Sequence, residues 1–112
     1  MVAILAKGTT IITNAASEPE IQQLCEMLNS MGANISGIGS NTLTIKGVST
    51  LNSISSISVI PDRIEAGTFL IAAAAVGGKV EVTNIIPEHL DSVIKCLQKA
   101  NIQLEVKDSS IV

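Results

Sequence analysis

The densest chemistry in this sequence is Pro61-Asp62-Arg63-Ile64-Glu65-Ala66-Gly67-Thr68, where the only arginine of the chain stands close to two carboxylates. A guanidinium between acids either fastens two parts of a protein or faces a ligand. Ion pairs at helix starts are mostly structural, so fastening is the expected role. A second acidic group, Glu18 and Glu20, lies in Ser17-Glu18-Pro19-Glu20. Capping and dipole compensation are the plain reading of those acids, and a ligand-facing role is the sharper one. The remaining candidates are Cys25, Cys96 and His89. The cysteines are 71 residues apart, without a CxxC or a metal-type neighbour, and both read as core thiols. His89 stands alone in Pro87-Glu88-His89-Leu90 and reads as a surface capping residue. No catalytic residue, metal site or cofactor is expected.

Composition narrows the function classes. A chain of 112 residues can bury roughly two thirds of its unfolded surface, enough for a core. Apolar residues make up 46% of it, yet Phe69 is the only aromatic, so the core must be built from Ile, Val, Leu and Ala. A net charge of −3 leaves no basic face, and nothing is present on which bases could stack, so nucleic acid is excluded as a partner. Neither a signal peptide nor an apolar stretch of membrane-spanning length can be read, so the expected setting is cytoplasmic, with no membrane.

The elements that must position the acids follow from pattern. Proline in a first turn, acids Asp62 and Glu65 at the positive end of a helix dipole and the Gly77-Gly78 stop predict one helix. From Phe69 to Val76 it carries no polar residue, which predicts burial on every side. Ser17 and Glu20 have capping-box spacing for another helix, with Ile21, Leu24, Cys25, Leu28 and Met31 on one face and a stop at Gly32.

At an offset of about 70 residues the sequence repeats: Gly8-Thr9-Thr10-Ile11-Ile12-Thr13-Asn14 answers Gly78-Lys79-Val80-Glu81-Val82-Thr83-Asn84. A helix follows each copy, the second carrying Leu90, Val93, Ile94, Leu97 and Ala100 on its face. A strand pair follows each helix: Ala33–Ile38 with Thr42–Gly47, then Ile102–Val106 with Ile111–Val112. Ile57–Ile60 is expected to open the second unit as a strand. The fold class is therefore α/β, built from repeated βαβαββ units of which about two are present. The first copy would lack its opening strand, as in a piece of a longer chain.

With those residues in view, Pro-Asp-Arg-Ile-Glu-x-Gly-Thr at Pro61–Thr68 closely resembles the UDP-N-acetylglucosamine enolpyruvyl transferase family. Gly8-Thr9-Thr10, Asn14 to Ile21, Met31-Gly32-Ala33 and Ile35-Ser36-Gly37 extend the resemblance over essentially all 112 residues. It implies an inside-out α/β barrel in two domains, with residues 1–60 the last unit of the first and 61–112 the first unit of the second. It implies transfer of enolpyruvate from phosphoenolpyruvate to the 3-hydroxyl of UDP-N-acetylglucosamine, the first committed step of peptidoglycan synthesis.

The family's reactive-cysteine loop, its phosphoenolpyruvate-clamping arginines and its catalytic aspartate have no counterpart here. A site for a phosphate and a carboxylate needs several converging cations, which Arg63 alone cannot supply. What carries over is Glu18, Glu20, Asp62, Arg63 and Glu65, matching positions that line or brace the cleft between the family's domains. Ser17 departs from the pattern, since many members carry Arg there. The expectation is a chain inactive alone that covers its apolar helix by self-association or by packing its two units face to face, the alternative function being a non-catalytic scaffold or interaction module of the same ancestry.

Overall fold

Alternation of apolar and polar residues in Thr42–Lys46 places Leu43 and Ile45 on one face of a strand, and both are buried. A computed structural model describes residues 1–112, which fall into two units, Met1–Ile60 and Pro61–Val112. In the first unit β1 (Thr9–Thr13), α1 (Pro19–Ser30), β2 (Asn34–Ser36) and β3 (Thr42–Lys46) follow a 3₁₀ turn at Val2–Leu5. The three strands form an antiparallel sheet in the order β1-β3-β2. Its register pairs Ile12 with Leu43 and Thr10 with Ile45 on one side, and Ile35 with Ile45 on the other.

One helix covers one face of this sheet. Cys25 and Leu28 of α1 meet Ile35, Leu43 and Ile45, and Ile4 from the 3₁₀ turn closes the same cluster. A side-chain amide fixes the helix to the sheet edge: Asn29 Nδ2 donates to the Ile35 carbonyl at 2.8 Å, and the Ile35 N–H donates to Asn29 Oδ1 at 2.9 Å. From the end of β3 to Ile60 the first unit has no regular element. The Gln23 amide pins it instead, accepting from the Ile60 N–H at 3.1 Å and donating to the Ser58 carbonyl at 2.9 Å. The expected strand at Ile57–Ile60 does not form, because this segment is bonded to a side chain of α1 rather than to a neighbouring strand.

The second unit holds α2 (Arg63–Val76), β4 (Val82–Thr83), a 3₁₀ turn at Pro87–Leu90, α3 (Asp91–Lys99) and β5 (Ser110–Ile111). Its core is Ala66, Leu70, Ile85, Leu90, Ile94, Leu97 and Ile111. Gly67 of α2 faces Val93 and Leu90 with room for a methyl group: a Cβ built there would lie 3.4 Å from the Val93 side chain and 3.5 Å from that of Leu90, ordinary contact distances.

Burial of α2 on every side is overturned within this chain. Leu70 is 4% exposed, but Phe69 is 57% and Val76 85% exposed. The helix packs one face on α3, β4 and the Pro87–Leu90 turn, and none of these reaches its other side. The expected strand at Gly78–Asn84 shortens to Val82–Thr83, and of the expected second hairpin β5 alone is a regular strand. Cys25 is buried as expected, whereas Cys96 is exposed, because it falls on the side of α3 opposite Ile94 and Leu97.

The two units share unusual backbone at matching places. Asn14 after β1 and Asn84 after β4 have φ 53° and 55°, and Gly8 and Gly78 before those strands have φ 93° and 112°. Gly32 ends α1 at φ 97°, where Asn101 ends α3 at φ 61°. Few residues besides Gly and Asn enter this left-handed region easily, so the chain reverses at these points by the same means. The whole is a mixed α/β structure.

Candidate functional site

The head of α2 is built by its capping residue. Asp62 holds extended backbone at φ −74°, ψ 104°, and its Oδ1 accepts from the Ile64 N–H at 2.8 Å and the Glu65 N–H at 3.1 Å. Two of the N–H groups a helix start leaves without intrahelical partners are thereby satisfied. Pro61 thus precedes the cap instead of occupying the first turn, a shift of two residues from the expected start. Thr68 Oγ1 donates to the Ile64 carbonyl one turn on, at 2.7 Å. Glu65 sits exposed in the first turn, where the helix dipole favours its charge. Arg63 is half-buried at the same turn and makes an interaction of its own.

Beside this head lies an open cavity of about 320 Å³ whose walls include Asp62, Glu65, Phe69, Thr83 and Asn84. Two carboxylates on its rim make it a poor seat for a phosphate. Hydroxyl or N–H donors suit it, and Phe69 offers an apolar wall. Sequence reasoning found Asp62 and Glu65 but missed Thr83 and Asn84. The signal was there: Thr13-Asn14 and Thr83-Asn84 repeat at an offset of 70, and the left-handed asparagine turns the chain at the edge of this cavity.

In the first unit Glu18 is the N-cap of α1 through its backbone, with φ −63° and ψ 152°. Its carbonyl accepts from the N–H groups of Ile21 at 2.9 Å and Gln22 at 3.0 Å. Pro19 takes the first helical position, where a missing N–H costs nothing. The expected capping box between Ser17 and Glu20 does not form, since the helix begins one residue later than that spacing requires. Ser17 instead offers its carbonyl to Gln22 Nε2 at 2.6 Å. Glu20 stands exposed in the first turn and makes an interaction of its own.

The structure therefore places the five acidic and basic candidates on two helix heads, Glu18 and Glu20 on one, Asp62, Arg63 and Glu65 on the other. Lys95 pairs with Asp91 along α3, and Lys107 lies 3.4 Å from Glu81. These cations are already engaged by acids. His89 does not cap by its side chain: the Pro87–Leu90 turn has no side-chain cap, and His89 Nδ1 is buried without a hydrogen-bond partner. Burial pushes the Cys25 thiol above its usual pKa, with Glu26 adding to the shift and the amino terminus opposing it. A protonated, buried thiol is a poor nucleophile. No three His, Cys, Asp or Glu side chains converge as a metal site, and no helix is long and apolar enough to cross a membrane.

Comparison with known proteins gives a consistent answer. The family model for EPSP synthase (3-phosphoshikimate 1-carboxyvinyltransferase) matches residues 1–112. The UDP-N-acetylglucosamine 1-carboxyvinyltransferase of Parasynechococcus marenigrum is 52% identical over 111 residues, covering 99% of this chain and 26% of that protein. The enzyme of the same name from Chlorobaculum parvum is 51% identical, again over 99% of this chain and 26% of its own length. The crystal structure of the enolpyruvyl transferase NikO from Streptomyces tendae superposes with a TM-score of 0.80 at 22% identity, over 97% of this chain and 27% of that one. The chain spans about a quarter of the length of the curated relatives it matches.

Proposed function

Because the chain belongs to the EPSP synthase (3-phosphoshikimate 1-carboxyvinyltransferase) family, we propose that it forms the central segment of a UDP-N-acetylglucosamine enolpyruvyl transferase. The parent enzyme moves enolpyruvate from phosphoenolpyruvate onto the 3-hydroxyl of UDP-N-acetylglucosamine, releases phosphate and serves peptidoglycan synthesis in the cytoplasm. Residues 1–60 act as the last repeat unit of its first domain and residues 61–112 as the first unit of its second, in an inside-out α/β barrel of βαβαββ units.

One observation carries the reading: identity of about half, sustained over 99% of the chain, to relatives bearing that activity in their names. The geometry agrees with a supporting role. Glu18, Glu20, Asp62, Arg63 and Glu65 brace or line the interdomain cleft, and none acts as nucleophile, acid or base. No cofactor enters the reading. The arginine clamp and the reactive loop come from other parts of the parent enzyme, so these 112 residues do not turn over alone.

The bare chain self-associates through the uncovered side of α2, where Phe69, Ile71 and Val76 are exposed. Each such residue gains about 1.5–3 kcal/mol when removed from water. Sedimentation of the chain and of its Ile71→Ser variant checks this: the variant shifts towards monomer.

The functional test is a graft. These 112 residues replace the matching segment of the Chlorobaculum parvum enzyme, and phosphate release from phosphoenolpyruvate with UDP-N-acetylglucosamine is followed. Turnover by the graft together with none by the bare chain is expected. A folded graft without activity, or turnover by the bare chain, contradicts the proposal.

A further inference from the structure

Sheet and core hold most of the first unit, but not its last stretch. Val48 and Leu51 still pack against the cluster around Leu43 and Ile45, and the Asn52 N–H donates to the Met31 carbonyl at 2.7 Å. From Ser53 to Ile60 no side chain belongs to either core cluster. Ile54 and Ile60 are half-buried, Ile57 and Val59 are exposed, and the rest of the stretch is serine, so burial anchors little of it.

The chemistry at its end shows what does anchor it. Pro61 has no N–H and biases Ile60 towards extended backbone, so the Ile60 N–H is the last backbone donor of the first unit. In extended chain the carbonyl of one residue and the N–H two residues on face the same side, where a parallel neighbour would meet them. Gln23 of α1 takes that neighbour's place. Its Nε2 donates to the Ser58 carbonyl at 2.9 Å, and its Oε1 accepts from the Ile60 N–H at 3.1 Å. A primary amide carries donor and acceptor on one carbon, and only this orientation satisfies both backbone groups. Asn29, six residues further along the helix, makes a similar pair of bonds to Ile35. Ile35, however, is also fixed by pairing with Ile45 and by burial, and Ser58 has neither support.

We infer that Gln23 is a latch on the connection between the two units, which leaves the first unit at Ile60 when the amide is engaged and at Asn52 when it is released. Release frees eight residues, Ser53 to Ile60, a tether that spans at most about 29 Å. Two neutral hydrogen bonds favour the engaged state by about ten- to a hundred-fold, which leaves the released state populated at about 1–10%. The hold defines the connection, yet one substitution undoes it. The core of the first unit is complete without this stretch, so release requires no other change there. The latch rests on bonds within this chain and is independent of the reaction proposed above.

The test is amide exchange on the Gln23→Met and Gln23→Asn variants, at concentrations too low for self-association. Methionine keeps the length and helix preference of glutamine without the amide, whereas asparagine keeps the amide on a stem about 1.5 Å shorter. In both variants Ile60 is expected to exchange about ten- to a hundred-fold faster than in the unsubstituted chain, while Ile35, Leu43 and Ile45 stay within about three-fold. Unchanged exchange at Ile60 in the methionine variant overturns the inference. So does an asparagine variant that matches the unsubstituted chain, since the reach of the amide would then not be what holds the segment. An equal rise at Leu43 and Ile45 overturns it as well, because Gln23 would then support the whole first unit and not its connection.

Discussion

The first unit closes a sheet and the second does not, although the same apolar pattern runs through both. In Met1–Ile60, β3 is paired on both sides and its Leu43 and Ile45 are sealed under α1. In Pro61–Val112 the sheet is two strands of two residues each, and α2 keeps Phe69, Ile71 and Val76 in water. Pattern specifies which residues want burial, but burial needs a partner surface. Where a central strand supplies one, the pattern becomes a core; where no surface meets the outer side of α2, the same kind of residue stays exposed.

Removing a sealed side chain breaks this contrast most forcefully. Ile45→Ala should cost about 2–5 kcal/mol, as loss of a large aliphatic group from a packed core does. Ile71→Ala, on the uncovered side of α2, should change the stability of the monomer, measured at concentrations too low for self-association, by less than about 0.5 kcal/mol. Urea unfolding followed by circular dichroism measures both, and amide exchange assigns each loss to its unit.

Glycines sharpen it next. Gly47→Ala forces a methyl group onto the Ala6 carbonyl and should destabilise the first unit by about 1–3 kcal/mol, as overpacking does. Gly67→Ala meets ordinary contacts at 3.4 Å and beyond, in the interior of a helix. It should stabilise the second unit by up to about 1 kcal/mol, the difference in helix propensity. Thermal midpoints moving in opposite directions are the expected outcome.

The helix heads differ in a quieter way. Asp62 caps α2 with its side chain, so Asp62→Ala should cost about 1 kcal/mol. Glu18 caps α1 through its backbone alone, and Glu18→Ala should stay within about 0.5 kcal/mol. Equal losses in urea melts would remove the distinction.

The smallest effect concerns the thiols. Cys96 is exposed and should react readily with a thiol reagent, while buried Cys25 reacts only when its unit opens. Because burial raises the Cys25 pKa, the neutral thiol is kept in the folded state. The stability this contributes is full below the pKa of an unfolded thiol and is lost as pH rises through the folded value. Alkylation rates against pH, resolved by mass spectrometry, check both points.

Much of this was legible beforehand. Helix faces, the β2–β3 hairpin, the core position of Cys25 and the charged heads follow from period and composition, because those are local properties. The outward position of Cys96 was legible too but missed, since the face set by Leu90, Val93, Ile94 and Leu97 already leaves it out. Two features were not. The uncovered side of α2 depends on which surfaces are at hand to meet Phe69 and Val76. The irregular path of Ile57–Ile60 depends on one side chain, Gln23, capturing backbone that alternation alone would have made a strand. Of the candidate site, Asp62 and Glu65 were visible as charges, but Thr83 and Asn84 join them through a left-handed turn.

The central functional claim is that this chain braces a transferase and supplies no reacting group. Arg63→Ala in the grafted enzyme tests it most directly, with single-turnover phosphate release read beside stability and ligand-induced closure. Arg63 is half-buried, so its loss should cost about 1–3 kcal/mol of stability, between the exposed and buried cases, and weaken closure. The rate of the chemical step at saturating substrate should stay within about three-fold, because an interaction equal in ground and transition states does not alter it. A collapsed single-turnover rate with stability and closure intact would make Arg63 a participant in the reaction and contradict the account.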